Sequence, residues 1–236
     1  MPDPVSRRLF LSVAGAALVA PPILFGKDDV PTLLDHILLG CNDLDRGIAF
    51  VEENTGVRAA IGGVHPGRGT RNALLSLGER QYLEIIAPDP GQPGAKDTLG
   101  LRQLTEPRLV GWAAHPGDLD AFAKKLREAG VAFEGPTAGS RARPDGRVLH
   151  WKTLNLADDR HGLLPFFIEW STDSVHPSTD APSGCTLDYF EVTSTNPDEL
   201  TPIVQRLGLD LLVERSDKTR LRALLSGSKG DLKLSS

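Results

Sequence analysis

The segment Gly62-Gly63-Val64-His65-Pro66-Gly67-Arg68-Gly69-Thr70-Arg71-Asn72 sets an imidazole, two guanidinium groups and an amide among four glycines. Glycine permits positive φ and close backbone approach, so such a loop can bring polar groups against a ligand. His65 has the chemistry of a general base. Arg71 or Arg68 could clamp a substrate carboxylate, and Asn72 stands beside them at the start of a strand. The same residues also describe a flexible hairpin loop with surface arginines, in which Asn72 caps the turn. The glycines do not follow a strand and open a helix, so the segment is no phosphate-binding loop.

Two glutamates sit in apolar runs, Glu84 in Tyr82-Leu83-Glu84-Ile85-Ile86 and Glu169 in Phe167-Ile168-Glu169-Trp170. Strand alternation puts each opposite its apolar neighbours, on a face that is either solvent or an interior cup. Trp112, His150, Trp151 and Trp170 could form the apolar wall of that cup, with at least one tryptophan in the core instead. His115, His161 and His176 fall in loops or linkers and receive no role. No Gly-x-Ser-x-Gly occurs, so a serine hydrolase has no support.

The elements that must position these residues recur. Leu34 to Leu39 reads as a strand, Cys41-Asn42-Asp43-Leu44 as a turn and helix cap, and the following helix stops at Gly56. Leu109 to Ala114, Pro116-Gly117-Asp118-Leu119 and a helix ending at Gly130 repeat the pattern. Leu187 to Val192, Asn196-Pro197-Asp198-Glu199-Leu200 and a helix ending near Gly208 repeat it again. A short strand follows each helix (57–61, 131–134 and 209–214), and two more close each unit. The chain therefore reads as three strand-helix-strand-strand-strand units, with linkers over 88–108 and 171–183.

With 236 residues, net charge −5 and a pI near 5.7, the chain is mildly acidic, which argues against nucleic acid or an anionic membrane as partner and leaves small molecules. Residues 1–26 read as an export segment: Ser6-Arg7-Arg8-Leu9-Phe10-Leu11 matches the twin-arginine pattern, and the apolar stretch 9–20 is too short to span a bilayer. The expected destination is the periplasm or the exterior, the alternative being a cytoplasmic protein with an N-terminal tail. Cys41 and Cys185 could pair in an oxidising compartment or stay separate buried thiols.

With a histidine on a first strand and glutamates on two last strands, the βαβββ units resemble the vicinal oxygen chelate superfamily. The string from Gly62 to Asn72 and the later Leu164-Pro165-Phe166-Phe167-Ile168-Glu169-Trp170 resemble its glyoxalase-like branch. The resemblance implies an α+β fold in which mixed sheets curl into a cup with helices packed outside. It places a glyoxalase-like domain at 27–170, from modules at about 34–88 and 109–170, and a third βαβββ module at 184–236, which either completes the sheet or contacts a second subunit of a homodimer. It also implies a divalent metal, Mn²⁺, Fe²⁺, Zn²⁺ or Mg²⁺, held by His36, Glu84 and Glu169, with His65 as a further ligand or base. Gly111 stands where the full pattern has a fourth ligand. Glu169 and His65 would then serve catalysis, and Arg71, Asn72, Trp112, His150 and Trp151 would bind substrate. The implied activity is a metal-dependent lyase, isomerase or dioxygenase on a small oxygenated molecule. The competing expectation is a metal-free binding or sequestering protein of the same fold.

Overall fold

The computed structural model describes residues 30–236. The expected export segment lies outside them. The first unit comprises β1 (Leu34–Gly40), α1 (Leu44–Thr55), β2 (Ala60–His65), β3 (Thr70–Gly78) and β4 (Gln81–Pro88); the second comprises β5 (Arg108–Ala114), α2 (Leu119–Glu128), β6 (Phe133–Ala142), β7 (Val148–Leu156) and β8 (Phe166–Trp170). Both helices start where the sequence places caps. Asp43 accepts from the Arg46 N–H at 2.9 Å and Asp118 from the Ala121 N–H at 2.9 Å, each satisfying an amide that the first turn leaves without a helical partner. Gly56 ends α1 in the left-handed region at φ 82°, where a side chain would be strained.

The eight strands form one sheet in the order β2-β3-β4-β1-β5-β8-β7-β6. Within each unit the first strand pairs parallel with the last, and the two units join through the antiparallel pair β1–β5. The sheet curls so far that its two edges meet. Gly62 and Gly63 on β2 lie against Arg141 and Ala142 on β6, with no room for a Cβ at either glycine. The result is a cup whose outer face is the apolar one. Ile37, Leu39, Ala73, Leu75, Leu83, Ile85, Leu154 and Phe167 face outward onto Leu44, Ile48 and Val51 of α1 and Leu119, Ala123 and Leu126 of α2. Burying each large aliphatic side chain contributes about 1.5–3 kcal/mol, so this layer fixes the sheet's curvature and its inside-outside sense.

A one-turn helix, α3 (Pro177–Asp180), lies between β8 and the third unit, which comprises β9 (Thr186–Ser194), α4 (Pro197–Arg206), β10 (Leu212–Arg215), β11 (Arg220–Gly227) and β12 (Gly230–Ser235). The third unit keeps the element order of the first two but not their pairing: its own four-stranded sheet runs β10-β9-β11-β12. Here α4 returns the chain to lie parallel beside β9, whereas in the other units the strand after the helix goes to the far edge. The third sheet does not extend the eight-stranded one. It joins the outer apolar layer, with Phe190 5.2 Å from Trp112 and the β11–β12 turn bonded to the end of α1 through Lys229 N–H and Thr55 C=O at 3.1 Å. Cys41 and Cys185 are separate buried thiols.

Candidate functional site

Inside the cup is a cavity of about 470 Å³, within the range of roughly 300–1,000 Å³ that accommodates small organic ligands. Alternation decides who faces it. On β4 the inward residues are Tyr82, Glu84 and Ile86; on β3 they are Thr70 and Asn72; on β7, Trp151, Thr153 and Asn155; and on β8, Phe166, Ile168 and Trp170. Polar groups concentrate in the first unit, and the apolar wall belongs mostly to the second.

The polar end is one connected network. Glu84 is 7% exposed and has its Oε2 3.4 Å from His36 Nε2. Its Oε1 accepts from Asn72 Nδ2 at 2.6 Å and lies 3.6 Å from His65 Nε2. The Asn72 carbonyl oxygen accepts from Arg141 Nη1, so the arginine fixes which way the amide points. With its NH₂ group turned toward Glu84, Asn72 also lies 3.3 Å from His65 Nε2, which must therefore be the acceptor there. The other ring nitrogen, His65 Nδ1, is left to donate to Thr70 Oγ1 at 2.8 Å.

His36 has a carboxylate on each side. Its Nδ1 lies 2.7 Å from Asp35 Oδ1, its ring stacks on Tyr82 at 4.4 Å, and it is 2% exposed. Asp35 reaches the same side as His36 because β1 carries an irregularity between Leu34 and His36 where it pairs with β5, and such a bulge re-aims a side chain. Burial alone would strip the His36 proton, but hydrogen bonds to Asp35 and Glu84 outweigh it and raise its pKa to about 9. Burial likewise disfavours the Glu84 carboxylate, and His36, His65 and Asn72 together still bring it down to about 2. The Asp35 carboxyl is held well below its ordinary range by His176 and His36 against the cost of burial. His65 goes the other way. Burial lowers its pKa, Glu84 opposes, and Arg141 and Arg68 add to the lowering. One network thus holds a protonated histidine and a neutral one.

Several expected residues are elsewhere. Glu169 is on the opposite face from Ile168 and Trp170, where its Oε2 accepts from the Leu119 N–H at 2.7 Å and caps α2. It cannot share an ion with His36 and Glu84, and it touches nothing in the cavity. His150 is exposed on the outer face of β7, because its neighbour Trp151 takes the inward position. Arg71 alternates with Thr70 and Asn72 along β3 and does not line the cavity, whereas Arg68 borders it. Trp112 borders the cavity but is 1% exposed, packed on Phe190 and bonded through its indole N–H to the Leu163 carbonyl at 3.0 Å. His65, Asn72 and Trp151 do line the cavity. Sequence reasoning passed over Arg141, which is 3% exposed, as well as Asp35 and His176.

The donor set does not suit a divalent ion. Such an ion needs lone pairs converging at about 2.0–2.3 Å. Here the Asn72 NH₂ group fills the space between Glu84 Oε1 and His65 Nε2, Glu169 is turned to the other face, and a guanidinium stands behind Asn72. Among the described residues no group of three or more His, Cys, Asp or Glu side chains is arranged to hold a metal.

A family model described as "Glyoxalase-like domain" matches residues 34–208. Among solved structures, a hypothetical protein from Staphylococcus aureus superposes with TM-score 0.60 at 21% identity, covering 86% of this chain and 84% of that one. A methylmalonyl-CoA epimerase from Mycobacterium tuberculosis aligns with TM-score 0.42 at 20% identity, over 60% of this chain and 89% of its own. Comparison with curated protein sequences gives no match.

Proposed function

The chain belongs to the glyoxalase-like domain family, and on that premise we propose that its cup binds a small carboxylate or enolisable carbonyl compound and moves a proton on it without a metal ion. The observation that carries this reading is the Glu84–Asn72–Arg141 chain with neutral His65 beside it. Proton abstraction next to a carbonyl needs an unprotonated base and a fixed positive group for the oxygen that gains charge. His65 Nε2 supplies the first. As it takes the proton, the C–H bonding pair becomes the carbon–carbon π bond of the enolate, the carbonyl π pair moves onto the oxygen, and the Arg141 guanidinium and the Asn72 amide hold the resulting enolate oxygen. Return of the proton to the same carbon, or to its neighbour, gives exchange or isomerisation with no oxidant required. Arg68 and Lys96 at the mouth favour entry of an anion, and Trp151, Phe166, Ile168 and Trp170 supply a wall that excludes water.

The second reading, a binding protein that does no chemistry, is favoured by the engagement of the Glu84 and Asn72 side chains in bonds within the protein. Chelator-treated protein in D₂O with pyruvate, 2-oxobutyrate or acetoacetate separates the two. Proton abstraction predicts loss of the carbon-bound proton signal in NMR faster than in buffer, falling by about 10²-fold or more in His65→Gln. Saturable binding without exchange supports the second reading, and exchange only after addition of Mn²⁺, Fe²⁺, Zn²⁺ or Mg²⁺ overturns the metal-free one.

The Ser6–Leu11 motif further supports export by the twin-arginine route. Cell fractionation of the wild type and an Arg7→Lys/Arg8→Lys variant tests it, since equal distribution of the two removes the support.

A further inference from the structure

The connector between β8 and β9 runs beneath the cup, and we infer that it is a working part of the site: its His176 is a positioning residue that holds Asp35 and, through Asp35, orients His36 toward the cavity. This rests on the reading of the cavity as a proton-transfer site, in which Glu84 lies between His36 and the base His65.

Asp35 is 0% exposed, and a carboxylate so placed needs donors on both oxygens. It has three: His36 Nδ1 on Oδ1 at 2.7 Å, His176 Nε2 on Oδ2 at 3.1 Å, and the Trp170 indole N–H shared between the oxygens at 3.3 and 3.2 Å. Trp170 and His176 also meet edge to face with ring centres 5.6 Å apart. The direction of the His176 bond is fixed by its neighbours. Its Nδ1 accepts from the Ser178 backbone N–H at 3.2 Å, so the ring proton is on Nε2 and points at Asp35.

The connector is fastened on two sides. Ser76 on β3 donates its hydroxyl to the Ser178 carbonyl and its N–H to the Pro182 carbonyl, both at 2.8 Å. Asp180 pairs with Arg143 and Arg147 of the β6–β7 hairpin, each at 2.7 Å. That hairpin begins on the strand that carries Arg141. His176 is thus delivered to Asp35 by a segment tied to both flanks of the cup. The consequence for His36 is orientation. With Nδ1 committed to Asp35, its Nε2 faces Glu84, while Tyr82 and Phe166 confine the ring from the sides.

The test is the ¹H–¹⁵N imidazole spectrum of the ligand-free full chain at neutral pH, with the His36 Nδ1–H signal assigned by its absence in His36→Gln. We expect a downfield, slowly exchanging signal in the wild type and in His176→Gln, which keeps a donor for Asp35. His176→Ala should exchange at least tenfold faster while still unfolding cooperatively. Ser178→Ala, which removes the hydroxyl 2.8 Å from His176 Nδ1, should give a smaller acceleration and carries the test if His176→Ala does not fold. An unchanged signal in His176→Ala, loss in His176→Gln equal to that in His176→Ala, or no change in Ser178→Ala where it alone is measurable would overturn the inference. Because no ligand is present, a negative result here is separate from failure of proton exchange on pyruvate, 2-oxobutyrate or acetoacetate.

Discussion

The two halves of the eight-stranded sheet share one backbone plan and divide the chemistry unequally. The first unit turns His36, Glu84, His65 and Asn72 into the cup; the second turns in Trp151, Phe166, Ile168 and Trp170, with Arg141 as its one buried ionic contribution. A metal site built across both halves needs donors from each, and the inward positions of β8 offer none. What the second half contributes is a cation attached to the chain, joined to the first half through Asn72. The two units keep the same pairing of strands while their inner faces differ, because the outer apolar layer sets which face turns inward and leaves the inner residue types free.

Removing the anionic centre of the first half should have the largest effect. Glu84→Ala leaves His36 and the Asn72 amide without their shared acceptor, and the loss of one partner of a buried ion pair costs about 3–5 kcal/mol. Urea unfolding measures it, and a loss below 1 kcal/mol would place the polar network outside the fold's stability. The same cluster sets a pH window. The contribution of Glu84 is full above its ordinary 4.5 and lost as pH falls through about 2, and that of His36 is full below 6.5 and lost as pH rises through about 9. Melting temperature should therefore be highest between about pH 5 and 6.5, and Glu84→Gln should flatten the acid side.

Next comes the second half's cation. Arg141→Met removes a charge-assisted hydrogen bond worth about 1.5–3 kcal/mol, so a bound 2-oxo carboxylate should weaken by about ten- to a hundredfold. Calorimetry on wild type and variant reads this directly, and unchanged affinity would locate the anion elsewhere. Smaller still, Glu169→Ala should cost about 1 kcal/mol through loss of its bond to the first turn of α2 and leave ligand affinity untouched. A change in affinity or in metal content would return Glu169 to the site. At the bottom of the scale, His150→Ala should stay within about 0.5 kcal/mol of wild type.

How much of this could be read in advance follows from particular residues. Caps at Asp43 and Asp118 and the glycines closing each helix are local signals, and they located the units. His65 and Asn72 were legible because glycines flank them at a strand junction. Glu84 and Glu169 look alike in sequence, since period-two alternation says that a glutamate opposes its apolar neighbours and not which face becomes the cup. That choice is made by α1 and α2. Asp35 was hidden by the bulge in β1, which breaks the alternation. Arg141 was hidden because the short strand after the second helix was expected to end at residue 134, whereas β6 runs on through Gly135-Pro136 to Ala142. An arginine amid Gly139, Ser140 and Ala142 was the available clue. The third unit misled because element order says nothing of which strands pair.

The glycine pair at the meeting of β2 and β6 carries one more implication. Strands that close a barrel ordinarily lock through a backbone ladder, but this seam is shut by the Arg141 guanidinium seated against Gly62 and the Ala142 carbonyl against Gly63. The joint is therefore keyed to the absence of side chains at two positions: an alanine at position 62 would push into the contact between Arg141 and Asn72. Closing the vessel and placing its charge thus share one contact, so a side chain at position 62 disturbs both.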